Sequence, residues 1–291
     1  MKGKILGMMA VALLVAVAAC SNSAASADAQ TSNDSMANQQ PDSALTLVKF
    51  ETSLGDFTVE LFNDTPIHRD NFIKLVNEGY YNGVLFHRVI NEFMVQTGDP
   101  DSKTAQPGQR LGAGGPGYTL DAEILYPQHF HRRYALAAAR QGDQVNPQKR
   151  SSGSQFYIVT GKRVLPAQLD QLSNQLKNQQ LQSIFNGLAQ QHIDRIRALQ
   201  AAEDRDALSA LRDSLIAETE AIAAKNPITI TDEVRQAYTS VGGTPHLDGA
   251  YTVFGQVVDG TAVIDSIESV ATDGADRPKE DIRIISAAIV K

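Results

Sequence analysis

Cysteine is nearly absent from this sequence of 291 residues: Cys20 is the only one, so no disulfide can form within the chain and no multi-cysteine zinc or iron-sulfur site can be assembled. A basic field is missing too. The formal net charge is -7, and no cluster of lysines and arginines stands out along the chain, which argues against nucleic acid as a partner. No metal constellation appears either. His129 and His131 alternate along the chain, but no further His, Cys or carboxylate group joins them at ligand spacing. At this length a sizeable hydrophobic core is available without staples.

What is present is ordered in blocks. Residues 1–20, MKGKILGMMAVALLVAVAAC, join two lysines to an apolar stretch shorter than a bilayer span, and read as a secretory signal. Val17-Ala18-Ala19-Cys20 resembles the lipobox of bacterial lipoproteins, which implies cleavage before Cys20 and acylation of its thiol and new amino terminus. Residues 21–45 are Ser, Ala, Asn, Asp and Gln with few large apolar groups, and read as a flexible linker. Leu47–Thr52 and Phe57–Phe62 alternate apolar and polar around Ser53-Leu54-Gly55-Asp56, the pattern of a hairpin. Thr65-Pro66 offers a cap and first turn for a helix through Val76, ended by Gly79.

Short strands are expected near residues 84–89, 93–98, 135–139 and 155–159, and again over 251–257 and 282–290. Between them, residues 164–241 turn to Gln, Leu, Ala and mixed charge. Leu165, Leu169, Leu172 and Leu176, then Leu208, Leu211 and Leu215, fall at helical spacing. An antiparallel helical hairpin is favoured over one long helix, followed by a short helix capped at Thr231-Asp232-Glu233.

The densest stretch is Phe86-His87-Arg88-Val89-Ile90-Asn91-Glu92-Phe93-Met94-Val95-Gln96-Thr97-Gly98-Asp99. With Ser152–Ile158 and Leu247-Asp248-Gly249 through Gly255, it resembles the signature of the cyclophilins, which are peptidyl-prolyl cis-trans isomerases. The resemblance implies a mainly β fold, a closed β-barrel with flanking helices, split here into residues 46–163 and 242–291 by a helical insert over 164–241. It implies a cofactor-free isomerase with Arg88, Phe93 and Gln96 as catalytic residues. Met94, Ala139, Arg140, Gln155, Tyr157, His246, Leu247 and Tyr251 would bind substrate. His87 is read as structural, since isomerisation has no proton transfer for it to perform. Because Phe93, Met94 and Gln96 are all expected at one site, a bend or bulge is expected near Phe93.

The partners implied are proline-containing unfolded or nascent polypeptides, and a membrane reached through a lipid anchor at Cys20 on the extracytoplasmic side of the cell envelope. Three positions depart from the familiar pattern. His246 stands where many relatives carry Trp, which predicts weak cyclosporin binding, while Tyr251 and Arg140 resemble bacterial members. A non-catalytic peptide-binding adaptor and a holdase acting through the insert are the alternatives from other classes. Since the pocket residues fall outside 164–241, replacing the insert by a short linker is expected to leave peptide isomerisation nearly intact.

Overall fold

A computed structural model describes residues 45–225, 227 and 229–290; the expected signal, Cys20 and the linker up to residue 44 lie outside them. Alternation sets the first hairpin: β1 (Thr46–Thr52) pairs with β2 (Gly55–Leu61), with Val48, Phe50, Phe57, Val59 and Leu61 turned inward and Gly55 at φ +123° closing the turn. Helix α1 (Pro66–Asn77) follows, then β3 (Arg88–Ile90), β4 (Met94–Thr97), β5 (Thr119–Leu120), β6 (Ala135–Ala138), β7 (Ser151–Ser152) and β8 (Phe156–Val159). The insert supplies α2 (Pro166–Gln191), α3 (Ile193–Ala201), α4 (Arg205–Lys225) and α5 (Asp232–Ser240). The chain returns to the barrel with β9 (Val253–Asp259), α6 (Thr261–Glu268) and β10 (Ile284–Val290).

Eight strands form one curled antiparallel sheet in the order β10-β1-β2-β9-β6-β8-β4-β3, and β5 pairs with β7 separately. The expected closed barrel is not closed by strand pairing. Between β3 and β10 the ladder is replaced by backbone bonds from Gly83 and Phe86 to the Ile284 and Ile282 carbonyls, and from Ile284 to Val84. Strand β3 is only three residues long, so it cannot run beside the seven residues of β10.

Inside the curl, Phe50 stacks on Phe57 at 4.9 Å, Phe72, Tyr81 and Phe156 lie tilted beside Phe50, and Phe72 and Tyr81 meet Phe156 edge-on. Helices α1 and α6 cover this core with Phe72, Leu75, Ile264 and Ile267. Thr65 does not cap α1 with its side chain. The Glu123 carboxylate does so instead, accepting from the Ile67 and His68 amides at 3.0 and 2.9 Å, because a charged acceptor satisfies two orphan donors at once.

The insert forms the expected hairpin, with a break at His192 and a turn at Ala202–Asp204, where Glu203 adopts φ 52°. Its two ends meet. The Gly243 amide donates to the Lys162 carbonyl at 3.1 Å, and a Cβ on Gly243 would sit 2.2 Å from the His131 carbonyl oxygen, so only glycine fits this neck. Thr231 caps α5 by accepting from the Val234 amide at 3.3 Å.

Candidate active site

Side chains alternate across β8, so Phe156 and Ile158 enter the core while Tyr157 and Val159 face the opposite side. Register then builds a surface around them. Arg88 lies opposite Gln96 and Ile90 opposite Met94; Gln96 in turn faces Tyr157, and Met94 faces Val159. Tyr157 lies opposite Ala137 on β6. The outer face of the barrel wall thus carries Arg88, Met94, Gln96 and Tyr157 side by side.

Phe93 reaches this face by a bend. The turn Asn91–Phe93 places Glu92 at φ 57°, its amide donating to Glu268 Oε1 at 2.7 Å, while the Thr160 amide holds the Phe93 carbonyl at 3.0 Å. No bulge within β4 is needed. Phe93 and Leu247 both pack against the cluster that holds Met94 and Tyr157, and the Phe93 ring stacks on His246 at 5.5 Å. Tyr251 meets Tyr157 edge-on at 6.0 Å, and the Arg140 guanidinium lies 4.4 Å above the Tyr251 ring while Nε donates to the Ala250 carbonyl at 2.8 Å.

Polar groups line the rim. The Gln96 amide donates to Gln155 Oε1 at 3.0 Å, and the Gln155 amide donates to the Gly114 carbonyl at 2.7 Å, so Gln96 is oriented by Gln155. The Ala139 amide and carbonyl are bonded to Gln155 and Ser152, which fixes the backbone there. Arg88 Nε stands 3.5 Å from Asp276 Oδ2, its side chain 42% exposed, leaving guanidinium surface open to a ligand. All eleven expected site residues among those described lie on or beside this face.

Other residues were not legible in the motifs. Asp276, at φ 63°, accepts the Val89 amide through its carbonyl at 2.8 Å and so docks its loop beside β3. Below the groove, Asp248 bonds His131 and Tyr238. His131, noted above beside His129, sits in this network, and His129 pairs with Asp64 at 2.7 Å. Among the described residues no group of three or more His, Cys, Asp or Glu is arranged to hold a metal.

Burial shapes the electrostatics. It lowers the His246 pKa, keeping the imidazole neutral at pH 7, and raises that of Tyr157 well above the ordinary phenol value, keeping its hydroxyl protonated. His87 is buried behind the strand, its pKa lowered to about 4 mainly by burial.

A curled antiparallel barrel wall whose outer face carries an apolar cluster beside a half-exposed arginine defines a class that the comparisons identify. The family profile described as "Cyclophilin type peptidyl-prolyl cis-trans isomerase/CLD" matches residues 47–221 and 221–289. A Staphylococcus aureus (strain USA300) protein named for peptidyl-prolyl cis-trans isomerase activity is 31% identical over 242 residues, covering 82% of this chain and 89% of its own. A Streptococcus pyogenes protein named as a bifunctional phosphatase/peptidyl-prolyl cis-trans isomerase is 32% identical over 240 residues; the match spans 81% of this chain but 37% of that relative. Among solved structures, a Cryptosporidium parvum cyclophilin type peptidyl-prolyl cis-trans isomerase superposes with a TM-score of 0.51 at 22% identity, covering 85% of this chain and 99% of that one, a likeness of fold. The chain belongs to the cyclophilin-type peptidyl-prolyl cis-trans isomerase family.

Proposed function

We propose that this chain accelerates Xaa-Pro isomerisation in unfolded or nascent polypeptides outside the cytoplasm, by electrostatic stabilisation of the twisted amide. The observation that carries the reading is Arg88: a guanidinium with a half-open side chain at the rim of a cleft lined by Phe93, Met94, Tyr157 and Leu247. Amide resonance sets a barrier of roughly 18–20 kcal/mol, and no covalent bond need break to cross it. A catalyst therefore has to favour the deconjugated amide over the planar one. The cleft holds the pyrrolidine ring while the rest of the peptide turns. Arg88 donates to the prolyl carbonyl and approaches the nitrogen as it gains a lone pair.

Gln96, oriented by Gln155, holds the substrate backbone, and Ala139, Arg140, His246 and Tyr251 line the groove to either side. Asp276 keeps the guanidinium over the rim. With both partners more than 40% exposed, this pair is worth at most about 1 kcal/mol, so substrate displaces it readily. Arg88→Ala should lower kcat/KM on an Xaa-Pro peptide by about tenfold to a hundredfold, roughly 1.4–2.8 kcal/mol of lost transition-state stabilisation. Near wild-type turnover in that variant would refute the role.

The extracytoplasmic part of the proposal rests on the apolar signal, on Val17-Ala18-Ala19-Cys20 and on the polar stretch that follows. Acylation of Cys20 would tether the domain at a membrane facing unfolded clients. Cys20→Ala should abolish incorporation of labelled fatty acid and release the protein from the membrane fraction. An unlabelled wild-type chain found wholly in the soluble fraction overturns this.

A further inference from the structure

A chain of buried hydrogen bonds runs from the insert to the floor of the groove. It starts at Tyr238 on α5, fully buried and edge-on to Phe130 at 5.5 Å, in the cluster that also holds Leu169 and Val234. Its hydroxyl donates to Asp248 Oδ2 at 2.6 Å. The other oxygen, Oδ1, takes the His131 backbone amide and ring Nδ1, each at 2.9 Å. His131 Nε2 lies 2.9 Å from the Tyr157 hydroxyl, and the His131 and Asp248 side chains are 1% and 4% exposed.

Donor and acceptor chemistry gives this chain a direction. A carboxylate only accepts, so both Tyr238 and His131 Nδ1 must donate to Asp248. In the tautomer that carries its proton on Nδ1, Nε2 is the acceptor, and the Tyr157 hydroxyl donates to it. The Tyr157 hydroxyl is thereby drawn beneath the groove, away from the cleft, and only its ring is left for the proline. Tyr157 thus carries a hydroxyl beneath the pocket, and His131 is the partner it needs.

We propose that Tyr238 is a positioning residue for the groove, which makes the closing helix of the insert part of the active-site frame. The proposal rests on the groove being the isomerase site. Without the Tyr238 hydroxyl, Asp248 Oδ2 is left unpaired in a buried place, a situation that unmade hydrogen bonds make costly, and the carboxylate turns or takes up water. Its grip on the His131 Nδ1–H weakens, both imidazole tautomers become populated, and the Tyr157 ring loses its fixed seat. The expectation that the whole of residues 164–241 is dispensable for peptide turnover therefore does not extend to α5.

The ring of Tyr157 contacts proline in every rotational state, so its loss of position weakens ground state and transition state alike and is read in KM. The test uses the full chain with 15N-labelled histidine, the Tyr238→Phe variant and an Xaa-Pro peptide. In the wild type the His131 ring should show a protonated Nδ1 and an unprotonated Nε2. In Tyr238→Phe the two nitrogen resonances should move toward each other, KM should rise about threefold to tenfold and kcat should stay within about twofold. Leu211→Ala, which weakens the distal hairpin away from Asp248, should move neither the His131 resonances nor KM. A wild-type His131 protonated on Nε2 overturns the proposal without any variant. Unchanged resonances in Tyr238→Phe do the same, as does an equal KM rise in Leu211→Ala. A wild type with the expected tautomer and no isomerase activity would instead count against the functional reading alone.

Discussion

In the barrel, seven buried aromatic rings (Phe50, Phe57, Phe72, Tyr81, Phe86, Phe156 and Phe254) belong to a single cluster drawn from both ends of the chain. In the distal half of the insert, the buried hydrophobic cluster is Leu188, Ile196, Leu211 and Leu215, all aliphatic and all from the hairpin itself. A third cluster, Phe130, Leu169, Ile230, Val234 and Tyr238, joins the insert's base to the barrel. The insert is therefore two things: a base packed into the frame of the groove, and an arm held by its own small core. Burial over many elements makes the barrel and base cooperative. The arm, with few fully buried groups, has only its own packing to hold it and should open at lower free energy.

Acid should separate the two regions most sharply, because the barrel buries histidines and the described hairpin does not. Burial depresses the His87 pKa to about 4 from an ordinary 6.5, and lowers that of His68 as well. The folded state thus binds fewer protons than the unfolded one in this interval, so stability rises with pH there. The contribution is fully present above pH 6.5 and is lost as pH falls toward about 4, amounting to about 3 kcal/mol for His87. His87→Leu should flatten the dependence of unfolding free energy on pH between 4 and 6.5, measured by urea titration. At pH 7 it exchanges a buried imidazole for an apolar group of similar size, so little is lost there. An unaltered pH slope in the variant would show that acid acts elsewhere.

Much of this division is written in local patterns. The alternation through Phe156 and Ile158, the leucine spacing of α2 and α4 and the Gly242-Gly243 re-entry are short-range signals, and Arg88 through Gln96 form one contiguous motif. What escaped the sequence involves partners far apart along it. Glu123 caps a helix 56 residues earlier, Asp276 docks beside Arg88 from the far end of the chain, and His131 finds Asp248 117 residues away. Helix α6 was also missed, although Ile264 and Ile267 behind Gly260 carry a helical spacing, because eight residues give periodicity little room to show. The closed barrel failed at β3, whose length is set by the turn at Glu92 that brings Phe93 to the cleft.

The smallest effect probes the arm alone. Ile196 on α3 is 5% exposed within the distal cluster and lies far along the insert from Tyr238 and the neck at Gly243. Ile196→Val removes one buried methylene equivalent, for which about 0.5–1.5 kcal/mol is the usual cost. Were the whole molecule one cooperative unit, every slow-exchanging amide would lose that amount. With the arm opening separately, the loss falls only on amides of α2, α3 and α4, while those of β8, β9 and α5 keep wild-type protection. Peptide kcat/KM should stay within about twofold, because no bond from Arg88, Gln96 or Asp248 passes through Ile196. Native-state hydrogen exchange resolves the two patterns residue by residue. Uniform loss of protection through β8 would show that the arm and barrel open together, and would extend the frame of the groove from α5 to the hairpin's tip.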